Sequence, residues 1–523
     1  MRVVQPLRDD GDMESAYSVA AVRRAEDAAM AALPEDALMQ RAAFGLATRC
    51  ARILLEQRGA LVGAKVVVLT GSGNNGGDAL WAAARLASRG VAVTAILVSG
   101  RWHQAGAAAL LRVGGRLEPV EVGNYGELID AADLVLDGIL GIGGAGALRD
   151  PATDLAARAA AAAAYVVAVD LPSGVDADTG AVADSAAVVA AQETVTFGCL
   201  KPGLLVSPGA NFTGRLTLVD IGLPLGEAGL PVATRVTQSD AASLLPEPGP
   251  NDDKYTRGVV GVVAGSPPYP GAGILCSGSA RLGGAGMVRY AGSAPVGVVA
   301  RWPEVVIASD GPAKAGRVQA WVAGPGAGTD APARQRLVEV LQSEELVVVD
   351  ADGLTLISAD QGLRDMVGAR HAEGRVTVIT PHAGEFSRLG FELPPDSKAD
   401  RLGAVRGAAE SLGAVVLLKG HETVVADPGG AVFINTVSDS VLATAGSGDV
   451  LAGLLGSLLA AEAARHGSLD DPTVAFISAS AALIHGLAGC LAAASGRPVT
   501  SEDVLSSVPE AIARLRARDG DDR

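Results

Sequence analysis

The chain has 523 residues, 49% of them hydrophobic and only 3% aromatic, and carries 42 Lys and Arg against 58 Asp and Glu, a formal net charge of −16. That length exceeds one ordinary domain, and a core built from aliphatic rather than aromatic side chains suits helices layered on parallel sheets. So acidic a surface excludes general affinity for nucleic acid or anionic lipid, but not a small phosphorylated ligand held by backbone amides and a few local cations.

The N-terminus carries Arg8, Asp9, Asp10, Asp12 and Glu14 with no apolar run of a signal peptide, so a cytoplasmic protein is expected. A long helical opening, about Glu14 to Arg58 and broken near Pro34, precedes the first strand. Strands are then predicted at Lys65–Thr70, Val91–Val98, Asp133–Asp137, Tyr165–Asp170 and Glu193–Phe197, each short, β-branched and almost continuously apolar, as in strands buried on both faces. Ala-rich helical segments at Asp78–Ser88, Tyr125–Ala132 and Thr153–Ala164 alternate with them, which predicts a doubly wound parallel sheet. After Arg215–Asp220, the Gly-, Pro- and acid-rich stretch Gly226–Pro250 reads as a linker. A second α/β series follows, with strands at Gly258–Ala264, Trp321–Ala323, Leu346–Asp350, Arg375–Thr380 and Val415–Leu418. Thr473–Ser495 has no formally charged residue and is long enough to span a bilayer, but its Ala, Ser and Gly content and central His485 fit a helix buried in an α/β core, so no membrane partner is expected. Cys50, Cys199, Cys276 and Cys490 are far apart and read as reduced thiols.

The first chemical constellation follows Lys65–Thr70. Gly71, Gly73 and Gly76 satisfy G-x-G-x-x-G between strand and helix, where glycines let backbone amides approach an anionic ligand. No acid closes the second strand to hold a ribose, while Ser99 and Arg101 suit a 2′-phosphate, which leaves an NADP-dependent reductase open. The filling Asn-Asn-Gly-Gly-Asp (Asn74 to Asp78) is too polar for a packing turn, and Asp137 and Asp170 close two further strands at the same sheet edge, each beside glycine or proline.

With GSGNNGGDAL, DGILGIGGAG, DLPSGVDADTG and TFGCLKPGL together, the first half resembles the NAD(P)H-hydrate epimerase family, which has a Rossmann-like fold. The resemblance implies that Asn74, Asn75, Gly76, Gly77 and Asp78, with Gly141, Ile142, Gly143, Gly144, Ala145, Gly146 and Ala147, contact the hydrated dinucleotide. It further implies that Asn75, Asp137 and Ser173 hold a potassium ion, that Asp170 is the substrate-contacting acid that shuttles a proton, and that Lys201 is a partner for it. Ala79 departs from the glycine that often follows the motif's acid.

In the second half, Gly446-Ser447-Gly448-Asp449 opens a helix, so several amides face one site with a carboxylate in the first turn. A carboxylate repels a bound anion; its presence makes sense if Asp449 takes a proton from a hydroxyl that attacks phosphate. Strand ends upstream carry Gly-Pro-Gly (Gly324 to Gly326), Asp350-Ala351-Asp352-Gly353, Thr380-Pro381-His382-Ala383-Gly384-Glu385 and Lys419-Gly420-His421-Glu422-Thr423. This set resembles the ADP-dependent NAD(P)H-hydrate dehydratase family, with a ribokinase-like fold. The resemblance implies that Lys419, Gly420, His421, Glu422, Thr423 and Gly448 bind ADP, aided by Mg2+, and that Ala272, Gly326, His382 and Asp449 contact the hydrate.

The expected protein is therefore α/β with an epimerase domain over residues 1–228 and a dehydratase domain over residues 229–523, acting on NADHX or NADPHX and assembling as a homo-oligomer. A ribokinase-type small-molecule kinase fused to a non-catalytic nucleotide-binding module is the competing reading.

Overall fold

The computed structural model describes residues 14–120, 124–144, 146–245, 247–494 and 496–521, and divides into two compact units, one centred on Ser15–Val232 and the other on Ala233–Leu393 with Leu402–Arg523. The described chain opens with a short strand, β1 (Glu14–Ala16), and the helical start then splits at Pro34 into Val19–Ala32 and Ala37–Arg58.

Seven strands make the sheet of the first unit: β2 (Lys65–Thr70), β3 (Ala92–Leu97), β4 (Arg116–Pro119), β5 (Leu134–Gly138), β6 (Tyr165–Val169), β7 (Glu193–Phe197) and β8 (Arg215–Val219). They run parallel in the order β4-β3-β2-β5-β6-β7-β8. Side chains alternate across a strand, and the two faces of β2 serve different cores. Val66 and Val68 pack towards the helices Ala37–Arg58 and Asn74–Ala87, while Val67 and Leu69 pack towards Ala152–Ala161. Both faces are covered, which is why the strands read as continuous apolar runs. At the opposite edge from the glycine motifs, Glu193 is fully buried and paired bidentately with Arg49, at 2.6 Å to Nε and 2.8 Å to Nη2, so the charge carried inside by β7 is neutralised by the Ala37–Arg58 helix.

The second unit holds β9 (Ala233–Arg235), β10 (Val259–Val263), β11 (Met287–Tyr290), β12 (Val306–Ile307), β13 (Ala320–Ala323), β14 (Leu346–Val349), β15 (Thr377–Ile379), β16 (Val415–Leu418), β17 (Thr423–Ala426) and β18 (Val432–Asn435). Their order is β9-β18-β17-β16-β15-β14-β13-β10-β11-β12. Two features depart from the sequence reading. β16, β17 and β18 form an antiparallel meander beside the parallel strands, so Lys419–Glu422 is a hairpin turn rather than a strand-to-helix loop. The supposed linker Gly226–Pro250 contains structure: Thr234 pairs in parallel with Phe433, and Thr237 with Asp240 forms a capping box for the helix Gln238–Ser243. Local hydrogen bonding and one strand partner outweigh a loop-like composition.

The uncharged C-terminal segment forms the helix Asp471–Ala493. It and Ser447–His466 are long and apolar enough to cross a membrane, but 78% and 72% of their apolar windows are buried within the structure. Val450, Leu454, Leu458, Ile477 and Ile484 share one core with Val260, Val322, Val348 and Leu417. Cys50, Cys199 and Cys276 are buried, Cys490 is half-buried, and all four are free thiols.

Candidate active sites

In the first sheet the strand order reverses direction between β2 and β5, where open α/β sheets form a crevice. The Gly71 amide crosses it to the Gly138 carbonyl at 3.0 Å. A Cβ on Gly71 would lie 1.9 Å from the Ile139 carbonyl oxygen, and one on Gly76 would lie 2.2 Å from the Gly71 oxygen, so these two glycines are fixed by close backbone approach. Ala79 is accommodated by Gly138, whose added Cβ would meet the alanine methyl at 2.6 Å. The helix starts at Asn74, four residues earlier than the sequence pattern predicts; Gly73 is its N-cap, so Asn74 to Asp78 form its first turn.

Asp137, Ser173 and Asn75 come together beneath this turn. Asp137 is fully buried and accepts hydrogen bonds from Ser173 Oγ (2.7 Å), the Ser173 amide (2.8 Å) and the Ile139 amide (3.3 Å). Burial pushes its carboxyl up to about 6 against the pull of those donors. Asn75 Nδ2 donates to the Leu140 carbonyl at 2.9 Å, and Asn75 Oδ1 is buried without a hydrogen-bond partner. Ser173 Oγ also contacts both backbone polar groups of Leu140. Carboxylate, amide, hydroxyl and carbonyl oxygens with one of them unsatisfied fit a hard monovalent cation.

Asp170 follows β6 in a left-handed conformation, φ +66°, which turns its side chain back over the end of the sheet. Its Oδ1 accepts from Lys201 Nζ at 2.6 Å and from Thr196 Oγ1 and the Phe197 amide at 3.1 Å each. Burial, then the neighbouring charges of Asp170 and Glu26, hold the Asp78 carboxyl well above its ordinary range. Glu26, on Val19–Ala32, is likewise raised by burial and by Asp170. Sequence reasoning missed Glu26, which no motif marks. It named Lys201 without a geometry.

The Asp137 loop carries Gly141, Ile142, Gly143, Gly144, Gly146 and Ala147; Ala145 lies outside the described residues. The Gly144 amide closes a turn on the Gly141 carbonyl at 2.9 Å. Gly141 abuts the Asn75 side chain, and the Arg23 guanidinium faces Gly143. The predicted residues of this half therefore gather at one edge, except that Asp137 is enclosed and serves Ser173 rather than facing outward.

In the second unit the reversal falls between β10 and β13. Ala272 lies in the first turn of the Pro270–Leu282 helix, and a Cβ on Gly326 would lie 2.7 Å from the Ala272 methyl, so these two residues adjoin. The Gly446 turn, φ +88°, rests on Leu275 of the same helix. Lys419 Nζ is 2.7 Å from Asp350 Oδ1 and 3.8 Å from Glu385 Oε2. Burial opposes its charge, but Asp350, Glu385 and Asp449 outweigh that and keep the ammonium form favoured beyond its usual range. Gly448 adjoins this junction: a Cβ there would lie in ordinary contact, 3.5 Å from Lys419 Nζ and 3.7 Å from Asp350 Oδ2. Asp449, in the next position, is pushed up to about 7, first by burial and then by Asp350. Asp350 and Glu385 were visible in the sequence as strand-end acids, but their shared lysine lies 69 and 34 residues away, and no local signal joins them.

His382 caps the short helix Ala383–Arg388, its Nδ1 accepting from the Gly384 and Glu385 amides at 3.0 and 3.2 Å, while half of its side chain stays exposed. It also lines a cavity of about 750 Å³ with Lys419, Gly420, His421, Thr423 and Gly448. Glu422 is buried away from that lining, and Ala272, Gly326 and Asp449 lie outside it as well. Among the described residues no three His, Cys, Asp or Glu side chains gather as a metal cluster.

Two family models match the chain: YjeF-related protein N-terminus over residues 35–203 and NAD(P)H-hydrate dehydratase over residues 260–510. A bifunctional NAD(P)H-hydrate repair enzyme of Mycobacterium tuberculosis is 51% identical over 450 residues, covering 86% of this chain and 89% of that protein. Its counterpart in Corynebacterium glutamicum is 34% identical and covers 96% of this chain and 99% of that one. Among solved structures, an ADP/ATP-dependent NAD(P)H-hydrate dehydratase from Bacillus subtilis, crystallised with ATP and Mg2+, is 24% identical with a TM-score of 0.44, over 53% of this chain and 97% of that one.

Proposed function

The chain belongs to the bifunctional NAD(P)H-hydrate repair enzymes, and from that premise we propose how its residues divide the work. One half is an NAD(P)H-hydrate epimerase and the other an NAD(P)H-hydrate dehydratase. We assign residues 1–228 to the first and residues 229–523 to the second.

In the epimerase half the hydrate's phosphates lie against the amides of Asn74, Asn75 and Gly76, in one turn with Gly77, and against the loop Gly141 to Ala147, because a helix N-terminus leaves its first N–H groups unpaired and a glycine-rich loop lets a ligand approach the backbone closely. Asp170 takes the proton of the hydrate's hydroxyl as the ring C–N bond at that carbon opens to an aldehyde, and returns it when the nitrogen closes on the opposite face, which interconverts the R and S forms. Lys201 keeps Asp170 in place, and Asp78, whose carboxyl is shifted towards its protonated form by burial and by the charges of Asp170 and Glu26, can donate to the nitrogen as that bond opens. Asn75, Asp137 and Ser173 are the residues that would hold a potassium ion, and the unpartnered Asn75 Oδ1 supports the fit. Such an ion would supply a fixed positive charge to the site.

In the dehydratase half, Lys419, Gly420, His421, Thr423 and Gly448 hold ADP, with Mg2+ shielding its phosphates, while Ala272, Gly326 and His382 hold the S hydrate. Asp449 removes the proton from the hydrate's hydroxyl as that oxygen attacks the β-phosphorus, and AMP leaves. The Gly446–Gly448 amides stabilise charge growing on the phosphoryl oxygens. Hydroxide leaves a ring poorly but phosphate leaves well; its departure, with loss of a proton from the adjacent carbon, restores the double bond of NADH or NADPH.

The observation that carries this reading is the gathering of Lys419, Asp350 and Gly448 beside Asp449, a half-buried carboxyl pushed up to about 7 by desolvation and by Asp350. The test supplies S-NADHX with ADP and follows absorbance of the reduced nicotinamide. Return of absorbance with stoichiometric AMP and phosphate supports it. A stable phosphorylated product would instead identify a kinase.

A further inference from the structure

Arg23 stands on the helix Val19–Ala32, exposed, with no hydrogen bond or ion pair among the described residues. The surface it faces sets it apart from an ordinary solvated arginine. Its Nη2 lies 3.7 Å from where a Cβ on Gly143 would stand, and apart from chain neighbours no other described residue comes within 4 Å of that point. The guanidinium therefore sits beside bare backbone of the Gly141 to Ala147 loop, at a face that is otherwise open.

The helix is fixed in that position. Asp178 Oδ1 accepts from the Val19 amide at 2.7 Å, and Arg24 Nη2 donates to the Ala228 carbonyl at 2.6 Å. Ile142, next to Gly143, packs against the cluster that holds Tyr17, Ala21, Val22 and Ala25, so apolar contact keeps helix and loop together. Arg24 spends its guanidinium on anchoring; Arg23, beside it, keeps its donors free.

Charge supplies the rest. Glu26, one turn along the same face, is raised by burial and by Asp170, with Lys201 and Arg23 pulling the other way, so Arg23 borders the site that holds Asp170. The carboxyl groups of Glu26, Asp78 and Asp170 offer a phosphate nothing. Lys201 does not serve one either, because its buried ammonium is committed to Asp170, Thr196 and Phe197. A planar guanidinium with free N–H groups beside a glycine loop matches a pyrophosphate, whose oxygens can accept in pairs.

We propose that Arg23 binds the pyrophosphate of the hydrated dinucleotide, holding it on the Gly141 to Ala147 loop and so fixing how far the hydrated ring reaches towards Asp170. The assignment rests on the epimerase reading of this sheet edge and deepens it.

ADP-ribose, which keeps the pyrophosphate and lacks the nicotinamide ring, is titrated into the full chain by calorimetry. Arg23→Ala is expected to weaken binding in the first unit about ten-fold or more. Arg23→Lys, which keeps the charge but not the planar fork, recovers part of that loss. The dehydratase half meets the same probe in every chain, so a difference between chains belongs to Arg23. In epimerisation of R-NADHX, Arg23→Ala raises KM by about ten-fold while kcat changes by less than about three-fold, and added salt narrows the gap from the intact chain. ADP-ribose bound as tightly by Arg23→Ala as by the intact chain, or an unchanged KM, overturns the proposal. A chain whose affinity for ADP-ribose depends on Arg23, but which interconverts R and S hydrates no faster than buffer does, refutes the epimerase reading and leaves the phosphate assignment intact.

Discussion

Lys201 Nζ lies 2.6 Å from Asp170 Oδ1, and the same ammonium donates to Thr196 Oγ1 and to the Phe197 carbonyl at 2.9 Å each. All of its donors are satisfied and it is 1% exposed, so it behaves as a fixed charge against Asp170 rather than as a mobile acid. Asp170 itself turns through a left-handed backbone conformation to meet it. Such strain persists only where surrounding contacts over-determine it.

Asp170→Asn preserves shape and removes the base. Epimerisation is expected to fall by about 10²–10⁴-fold, while dehydration of pure S hydrate stays unchanged. With racemic hydrate and ADP, the variant restores half of the absorbance at the normal rate and the remainder only at the uncatalysed rate. Full restoration at the original rate would remove Asp170 from the mechanism.

Two glycines of one motif separate backbone fit from motif membership. Gly71→Ala places a methyl 1.9 Å from the Ile139 oxygen, whereas the space around Gly73 is open and its φ is −93°. We expect Gly71→Ala to cost roughly 2 kcal/mol or more, through forced backbone movement, and to abolish epimerisation. Gly73→Ala should fall within about 0.5 kcal/mol of the original chain in denaturant unfolding. Equal effects at the two positions would contradict the close approach.

These cases mark where the sequence was readable. β2, β7 and β16 fall where their apolar runs place them, because a strand covered on both faces has a local signature. Gly71 and Gly138 were legible as glycines, but what crowds them, Ile139 and Ala79, lies across strand boundaries. The strand Ala233–Arg235 was read as linker because three residues within a stretch rich in Gly, Pro and acids carry no periodicity; pairing with Phe433 and Ile434 decides it. Asp137 looked like Asp170 in sequence, each closing a strand, yet one is sealed under Ser173 and the other reaches Lys201. Glu26 has no motif at all and joins the site only because its helix packs over it.

The oxygen cluster around Asn75 makes a cation-specific prediction. Exchange of potassium for lithium, whose small radius suits fewer and shorter contacts, should slow epimerisation by about ten-fold or more without altering dehydration of the S form. Asn75→Ala should remove that sensitivity along with most of the rate. An epimerisation rate indifferent to the monovalent cation would mean that the unpartnered Asn75 oxygen serves the substrate instead.

Asp449 gives the sharpest pH signature. Its ordinary pKa of 3.8 is raised to about 7 by burial and by Asp350, so the base form grows in as pH rises from about 6 to about 8, and turnover should rise with it before levelling. The same shift acts on stability with the opposite sign. The folded chain holds this proton more tightly than the unfolded chain, so the stabilising contribution is complete below about 4, is lost as pH climbs towards 7, and is absent above it. Asp449→Asn, neutral throughout, should therefore lose about 10²–10⁴-fold in dehydration yet unfold at a higher temperature than the original chain at pH 8, by an advantage on the order of 1–3 kcal/mol that vanishes near pH 4. Paired thermal melts and rate profiles across that range test both limbs at once, and a variant less stable at pH 8 would show that Asp449 is held as an anion in the folded protein.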